Sequence, residues 1–276
     1  MPAFKSLIPD PVFISDTRAD IVKCAALPPA YQAWRQLQVI RNMPRMGWDL
    51  PRGSMPGTWG IVGNGPGSHV PDGCDHVLAI NGALELVPDA SLWLVADALS
   101  PVNSWGKVLP EWLERNDEAV KRATLVARVA ANADLVERAG AAHTYTPCTQ
   151  EHRDIIPDWI AARMPSFVDA MQSLPGAMHI CWWLGASRIK VSGCPQGVPV
   201  KRGEIPRYYA ADGTPTPRGR MRRRIPMHGV HGLVQTTPEH LHAHTQADAV
   251  AWFLRRAGCQ FEDHSGGLIY RYMEAV

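Results

Sequence analysis

The sequence predicts an α/β protein built on a mostly parallel sheet with helices on both faces. Six short segments are apolar almost throughout, which is the mark of strands buried on both sides. Helical stretches separate them, the alternation that gives parallel sheets their crossovers. The first strand also runs straight into a glycine-rich turn, and open α/β sheets bind their ligands at the carboxyl ends of strands.

In chain order the strands are expected at 58–63 (TWGIVG), 76–81 (HVLAIN), 91–97 (SLWLVAD), 123–129 (ATLVARV), 143–147 (HTYTP) and 187–193 (SRIKVSG). Helices are expected at about 107–121, 132–140, 154–172, 175–186 and 238–257. Residues 1–56 differ, with prolines at 2, 9, 11, 28, 29, 44, 51 and 56 and one amphipathic helix from about Pro29 to Asn42. They read as an N-terminal extension that packs on the main domain, residues 57–276, or on a partner. From 197 to 237 the periodicity stops in a stretch rich in Gly, Pro, Arg and His. A segment of that length inside a compact domain is either a functional lid or disordered, and the lid is the favoured reading.

Composition bounds the function. At 46% hydrophobic and 20% charged the chain is able to bury a sizeable core. A net charge of +2 gives no global field for nucleic acid. The positive charge is uneven, because Arg218, Arg220, Arg222, Arg223 and Arg224 fall close together. That run is either a solvated loop or a surface for an anionic substrate or nucleic acid. The six cysteines contain no C-x-x-C pair. The opening MPAFKSLIPDPVF lacks the apolar core of a secretory leader, and no apolar run is long enough to span a membrane. Reduced thiols and a cytoplasmic location are therefore expected.

The turn Gly63-Asn64-Gly65-Pro66-Gly67-Ser68 is the strongest functional signal. Glycines accept φ > 0 and leave backbone N–H groups open to a phosphate. The G-x-G-x-x-G pattern is not met and no P-loop occurs. At the same sheet edge Asn81 ends the second strand, Asp97 the third, and Ser192-Gly193 the sixth. Asn81 either bonds a base or sugar or caps the helix that follows. Asp97 either holds Mg²⁺ or a ribose hydroxyl or acts as a cap. Gly176 opens a late helix, and helix N-termini attract anions. His179 and the tryptophans beside it read as packing. His240 and His244 share a helical face, but no H-E-x-x-H pattern supports a metal, so none is assigned. In the lid, His228 and His231 suit a general base near neutral pH, and Tyr208 and Tyr209 suit bonds to a leaving phosphate.

This order of motifs resembles the bacterial sialyltransferases that use CMP-sugars. It is also similar to the Rossmann-like family that includes the archaeal 6-hydroxymethylpterin diphosphokinase. The motifs are GNGP after the first strand, an Asn ending the second, a Gly opening a late helix, LGA-x-x-I-x-V-SG, and a His-bearing loop. They cover about residues 58–267. The resemblance implies a Rossmann-like fold in which Gly63, Asn64, Gly65 and Asn81 bind the nucleotide. It implies that Pro175 and Gly176 replace a Ser-Gly pair that touches it. It further implies that His231, with His228 as runner-up, is the base, and that Tyr208 and Tyr209 assist phosphate departure. Three positions depart from the families: the turn reads GNGPGS, the late Ser-Gly is Pro-Gly, and the Asp after the later strand is Pro195. The reading is a nucleotide-dependent transferase, a glycosyltransferase with a nucleotide-sugar donor, CMP-linked by the resemblance. The alternatives are an ATP and Mg²⁺ diphosphokinase using Asp97, and a non-catalytic nucleotide- or nucleic-acid-binding module. The acceptor is open, as is a homo-oligomeric state.

Overall fold

The computed structural model describes residues 29–45, 47–65, 67–96, 104–147, 165–168, 173–194, 198–199, 225–229, 232–236 and 238–265. Eight strands form one sheet: β1 (Gly57–Val62), β2 (His76–Ile80), β3 (Leu92–Val95), β4 (Thr124–Arg128), β5 (Ala141–Pro147), β6 (Ser166–Phe167), β7 (Ala186–Ser192) and, after the three strands of a second sheet, β11 (Gln260–Asp263). Their order is β11-β7-β1-β2-β3-β4-β5-β6 and every pair is parallel. The chain starts at β1, works outward to β6, then returns to place β7 on the other side of β1. The reversal puts the topological switch point between β1 and β7, with all carboxyl ends on one edge.

Side-chain alternation covers both faces. Trp59, Ile61, Leu78, Ile80, Leu92 and Leu94 point to one side, where they meet α5 (Ser173–Trp183) and α6 (Pro238–Arg256). Val62, Ala79, Trp93, Val95, Leu125 and Ala127 point to the other. There they meet α2 (Ser104–Arg115), α3 (Asp117–Arg122) and α4 (Ala133–Arg138). A period of two in the strands feeds two separate apolar layers, as a doubly covered sheet requires.

Several boundaries differ from expectation. The helix expected at 107–121 is two, because the Asn116 amide donates to Trp112 O (2.9 Å) and to Glu85 (2.8 Å), closing the first helix. Within the helix expected at 154–172, Ser166–Phe167 is instead a strand paired with β5. Pro165 disfavours helix in the residue before it, and fully buried Phe167 joins the core. The rest of that expected helix, apart from 165–168, lies outside the described residues. Inside the expected lid, β8 (Val198–Pro199), β9 (Ile225–Gly229) and β10 (Gly232–Thr236) form an antiparallel sheet in the order β8-β10-β9. Strands of two and five residues carrying Pro and Gly are too short to show a period, and cross-strand bonding makes them.

The helix expected from Pro29 to Asn42 forms as α1 (Pro29–Asn42). Its buried face docks on the main sheet's α4 end. Asn42 Nδ2 donates to Val129 O and Ala131 O, both at 2.9 Å, and Gln38 Oε1 accepts from Ala133 N at 2.8 Å. Residues 47–56 then tie β5 to the end of α5. Thr144 N bonds Gly47 O, and Gly53 N and Met55 N bond Trp183 O and Leu184 O. Among the described residues no helix is long and apolar enough to cross a membrane, and Cys74, Cys181, Cys194 and Cys259 are free thiols.

Candidate functional site

The carboxyl ends of β1, β2 and β7 bring most of the expected site residues together, and they divide into two kinds. Gly63, Gly65, Ser68, Ser192 and Gly193 hold one another. Gly63 N donates to Ser192 O at 2.9 Å and Gly65 N to Gly193 O at 2.7 Å. The Ser68 hydroxyl bonds Gly63 O and Gly65 O, both at 2.5 Å. Ser192, fully buried, takes the His69 N–H on its hydroxyl at 3.3 Å and donates to His69 O. These groups form a closed clasp joining β1 to β7. The expectation that Gly63 and Gly65 offer bare N–H groups to a ligand is corrected: both are bound to β7.

The clasp explains its glycines. Gly193 has φ +64°, and an added Cβ would meet Ser68 Oγ at 2.2 Å and Gly63 O at 2.4 Å. A Cβ on Gly63 would meet Cys194 Sγ at 2.4 Å and Gly193 O at 2.6 Å. Burial raises the Cys194 thiol far above its ordinary range, with Asp263 adding in the same direction, so it is a neutral packing group. Gly67 has φ +76° but nothing within 4 Å of an added Cβ.

The second kind of residue has side-chain polar atoms that the clasp does not engage. Asn64 Oδ1 is buried and has no hydrogen-bond partner among the described residues. Its Nδ2 lies so close to Gly82 that an added Cβ there would be 2.6 Å away. An unpaired buried acceptor costs about 1–3 kcal/mol, so its retention demands an explanation. Asn81 adopts φ +52°, the left-handed region in which Asn is among the most tolerant side chains. The 3-10 turn Asn81–Glu85 takes Ile80 as its N-cap with no side-chain cap bond. The capping alternative for Asn81 is thereby removed. Its carbonyl accepts from Trp93 Nε1 at 2.7 Å, and its amide reaches Ser173 Oγ at 3.5 Å.

Ser173 corrects the reading of the late helix. The helix begins there, and Gly176 sits one turn in, buried, where a Cβ would meet Val168 O at 2.9 Å. Gly176 serves the close approach of α5 to the end of β6 and is not the residue at the helix start. The hydroxyl at the start of this helix is that of Ser173, 3.5 Å from the Asn81 amide. Neither Ser173 nor Gly82 was identified from the sequence. Gly82 had a signal, the Asn-Gly pair, whereas Ser173 had none until α5 was placed.

His179 is packing, as expected. It is buried, it accepts the Val168 N–H on Nδ1 at 3.1 Å, and it meets Phe167 edge to face. Pro66, Asp97, Tyr208, Tyr209, His231 and Arg218 to Arg224 lie outside the described residues. His228 falls on β9, in register with Leu233 of β10. His240 and His244 fall on α6. Among the described residues no group of His, Cys, Asp and Glu could hold a metal ion.

No protein-family model and no curated protein matches the chain. Among solved structures it is similar to the Maf glycosyltransferase from Magnetospirillum magneticum AMB-1, at 11% identity and a TM-score of 0.54 over 86% of this chain. The chain spans 37% of that protein's length. At such identity the likeness shows the fold alone, a Rossmann-like α/β sheet, mostly parallel and covered on both faces.

Proposed function

We propose that the edge formed by β1, β2 and β7 binds a nucleotide, and that the protein is a nucleotide-dependent transferase. The specific reading is a glycosyltransferase that moves a sugar from a nucleotide-sugar donor to an acceptor hydroxyl. The observation that carries it is the buried, unpartnered Asn64 Oδ1 at the carboxyl end of β1, its amide nitrogen packed against Gly82 just past β2. An amide with an open acceptor is suited to a donor on a base or sugar edge. The resemblance to CMP-sugar enzymes and the likeness in fold to the Maf glycosyltransferase both favour a sugar donor. Gly67 and Ser173 would line the same crevice. His231, or His228, would take the proton from the acceptor, while Tyr208, Tyr209 or an arginine of 218–224 would meet the departing phosphate. Residues 197–237 would close over the site as a lid.

The test is a thermal-shift series against CMP, CDP, UDP, GDP and ATP, each with and without Mg²⁺. One nucleotide at about 100 times its Kd is expected to stabilise the fold by roughly 2.7 kcal/mol. Asn64→Ala sharpens the test, because it removes an unpaired buried acceptor. The unliganded variant is expected to be as stable as the parent or more so, while nucleotide affinity falls at least tenfold. Loss of stability with unchanged affinity would show that Asn64 is merely structural. A strict Mg²⁺ requirement with ATP would favour diphosphate transfer. Turnover is expected to fall roughly 10²–10⁴-fold in His231→Ala with nucleotide affinity nearly unchanged. A larger loss in His228→Ala would transfer the role to that residue.

A further inference from the structure

The connection after the glycine turn has an unusual shape for this kind of sheet. No helix follows β1. Residues 69–75 return along the sheet face as an irregular strap, held by Lys190 Nζ donating to Asp72 O at 2.6 Å. Gly60 makes room, since an added Cβ would meet Cys74 Sγ at 3.0 Å and Pro71 Cδ at 3.4 Å. A phosphate at a turn of this kind ordinarily gains from the helix dipole behind it. Here that dipole is missing and two turn N–H groups, those of Gly63 and Gly65, are engaged by β7. A phosphate at this turn would need a side-chain hydrogen-bond donor in their place.

His69 occupies the place where one is needed. Its backbone is gripped in both directions by the Ser192 hydroxyl. Its ring Nδ1 lies 2.8 Å from Gly67 O. A carbonyl only accepts, so Nδ1 donates to it; in the imidazolium form Nε2 carries a proton as well and is the donor left for an anionic partner. The ring is exposed, and His264, just past β11, stands edge-on to it with centroids 6.2 Å apart. His264 Nε2 in turn lies 3.2 Å from Glu262 Oε2, and Glu262 is 3.5 Å from Arg188. These rings flank the turn on the β7 and β11 side, while Asn64, Asn81 and Ser173 flank it on the β2 side.

We infer that His69 is the phosphate contact of the nucleotide donor, its Nδ1 tied to Gly67 O and its Nε2 turned to a phosphate oxygen, with His264 positioning the ring. The nucleoside then lies on the asparagine side and the phosphate on the histidine side of the clasp. This rests on the nucleotide reading above. The matched probes are CMP with cytidine, UMP with uridine and GMP with guanosine, titrated calorimetrically into the full chain. In the parent, one monophosphate is expected to bind more tightly than its nucleoside. His69→Asn keeps an N–H near Nδ1 for Gly67 O but has nothing at the Nε2 position. That variant is expected to lose roughly tenfold or more of the phosphate preference, the range for a hydrogen bond to a charged group. Its affinity for the nucleoside should not change. His69→Gln, which places an amide nitrogen near Nε2, is expected to recover part of the preference, and His264→Gln to lose less of it. A monophosphate-to-nucleoside ratio equal to the parent's in folded His69→Asn would overturn the inference and leave nucleotide binding standing. Failure of the parent to bind any of the six probes would overturn the inference, while the thermal-shift series above decides nucleotide binding itself.

Discussion

Gly193→Ala is expected to break the site and to destabilise the fold by about 3–5 kcal/mol, the upper range for a single substitution. The new Cβ would be held at φ +64° and would lie 2.4 Å from Gly63 O, a backbone atom that cannot swing aside. The left-handed conformation alone accounts for roughly 1–2 kcal/mol. The remainder comes from prying β1 away from β7, which separates Gly63 N from Ser192 O and Gly65 N from Gly193 O. Gly67→Ala isolates the conformational part, because φ is +76° there with no atom within 4 Å of the added Cβ. Denaturation midpoints should therefore rank the parent first, Gly67→Ala a little below and Gly193→Ala far below. Equal losses in the two variants would mean that the clasp contributes nothing beyond backbone strain. If Gly193→Ala retains nucleotide binding at parental affinity, the clasp does not shape the site.

The second large effect is on acid stability. Burial lowers the His179 pKa to about 3, with Arg52 adding in the same direction, against an ordinary 6.5. The folded protein refuses a proton that the unfolded chain accepts below pH 6.5, so stability rises with pH between about 3 and 6.5. The contribution is complete above 6.5 and is lost as pH falls toward 3, an amount on the order of 5 kcal/mol. His143, which burial also lowers although Asp49 opposes it, adds a slope of the same sign. His179→Gln carries no titrating proton, and its carbonyl oxygen can accept the Val168 N–H. Comparing stabilities at pH 7.5 and 4.5, the variant is expected to lose about 3 kcal/mol less than the parent. An identical loss in both proteins would place the acid-sensitive group elsewhere.

The fold was legible in the sequence to the extent that local pattern causes it. TWGIVG, HVLAI, LWLV and TLVAR are apolar on both faces because both faces are covered, and their strands appear within a residue or two of expectation. Strands whose existence depends on a distant partner were not legible. Ser166–Phe167 exists through β5, Gln260–Asp263 through β7, and β8, β9 and β10 through one another. The glycine turn and Asn81 could be placed at one edge from sequence, since parallel strands send all their carboxyl ends the same way. What each residue does there could not. Gly63, Gly65, Ser68, Ser192 and Gly193 had the signature of ligand contacts, yet their hydrogen bonds run to one another. Only the packing of β7 against β1 determines which polar groups are satisfied, and so which are left. Asn64 retains an open acceptor because Gly82 lets its amide sit against the next strand's end, and His69 is fixed because Ser192 reaches it from 123 residues away. Periodicity records which residues are buried. Whether a buried polar atom has found its partner is a property of three-dimensional proximity, and the tertiary structure alone decides it.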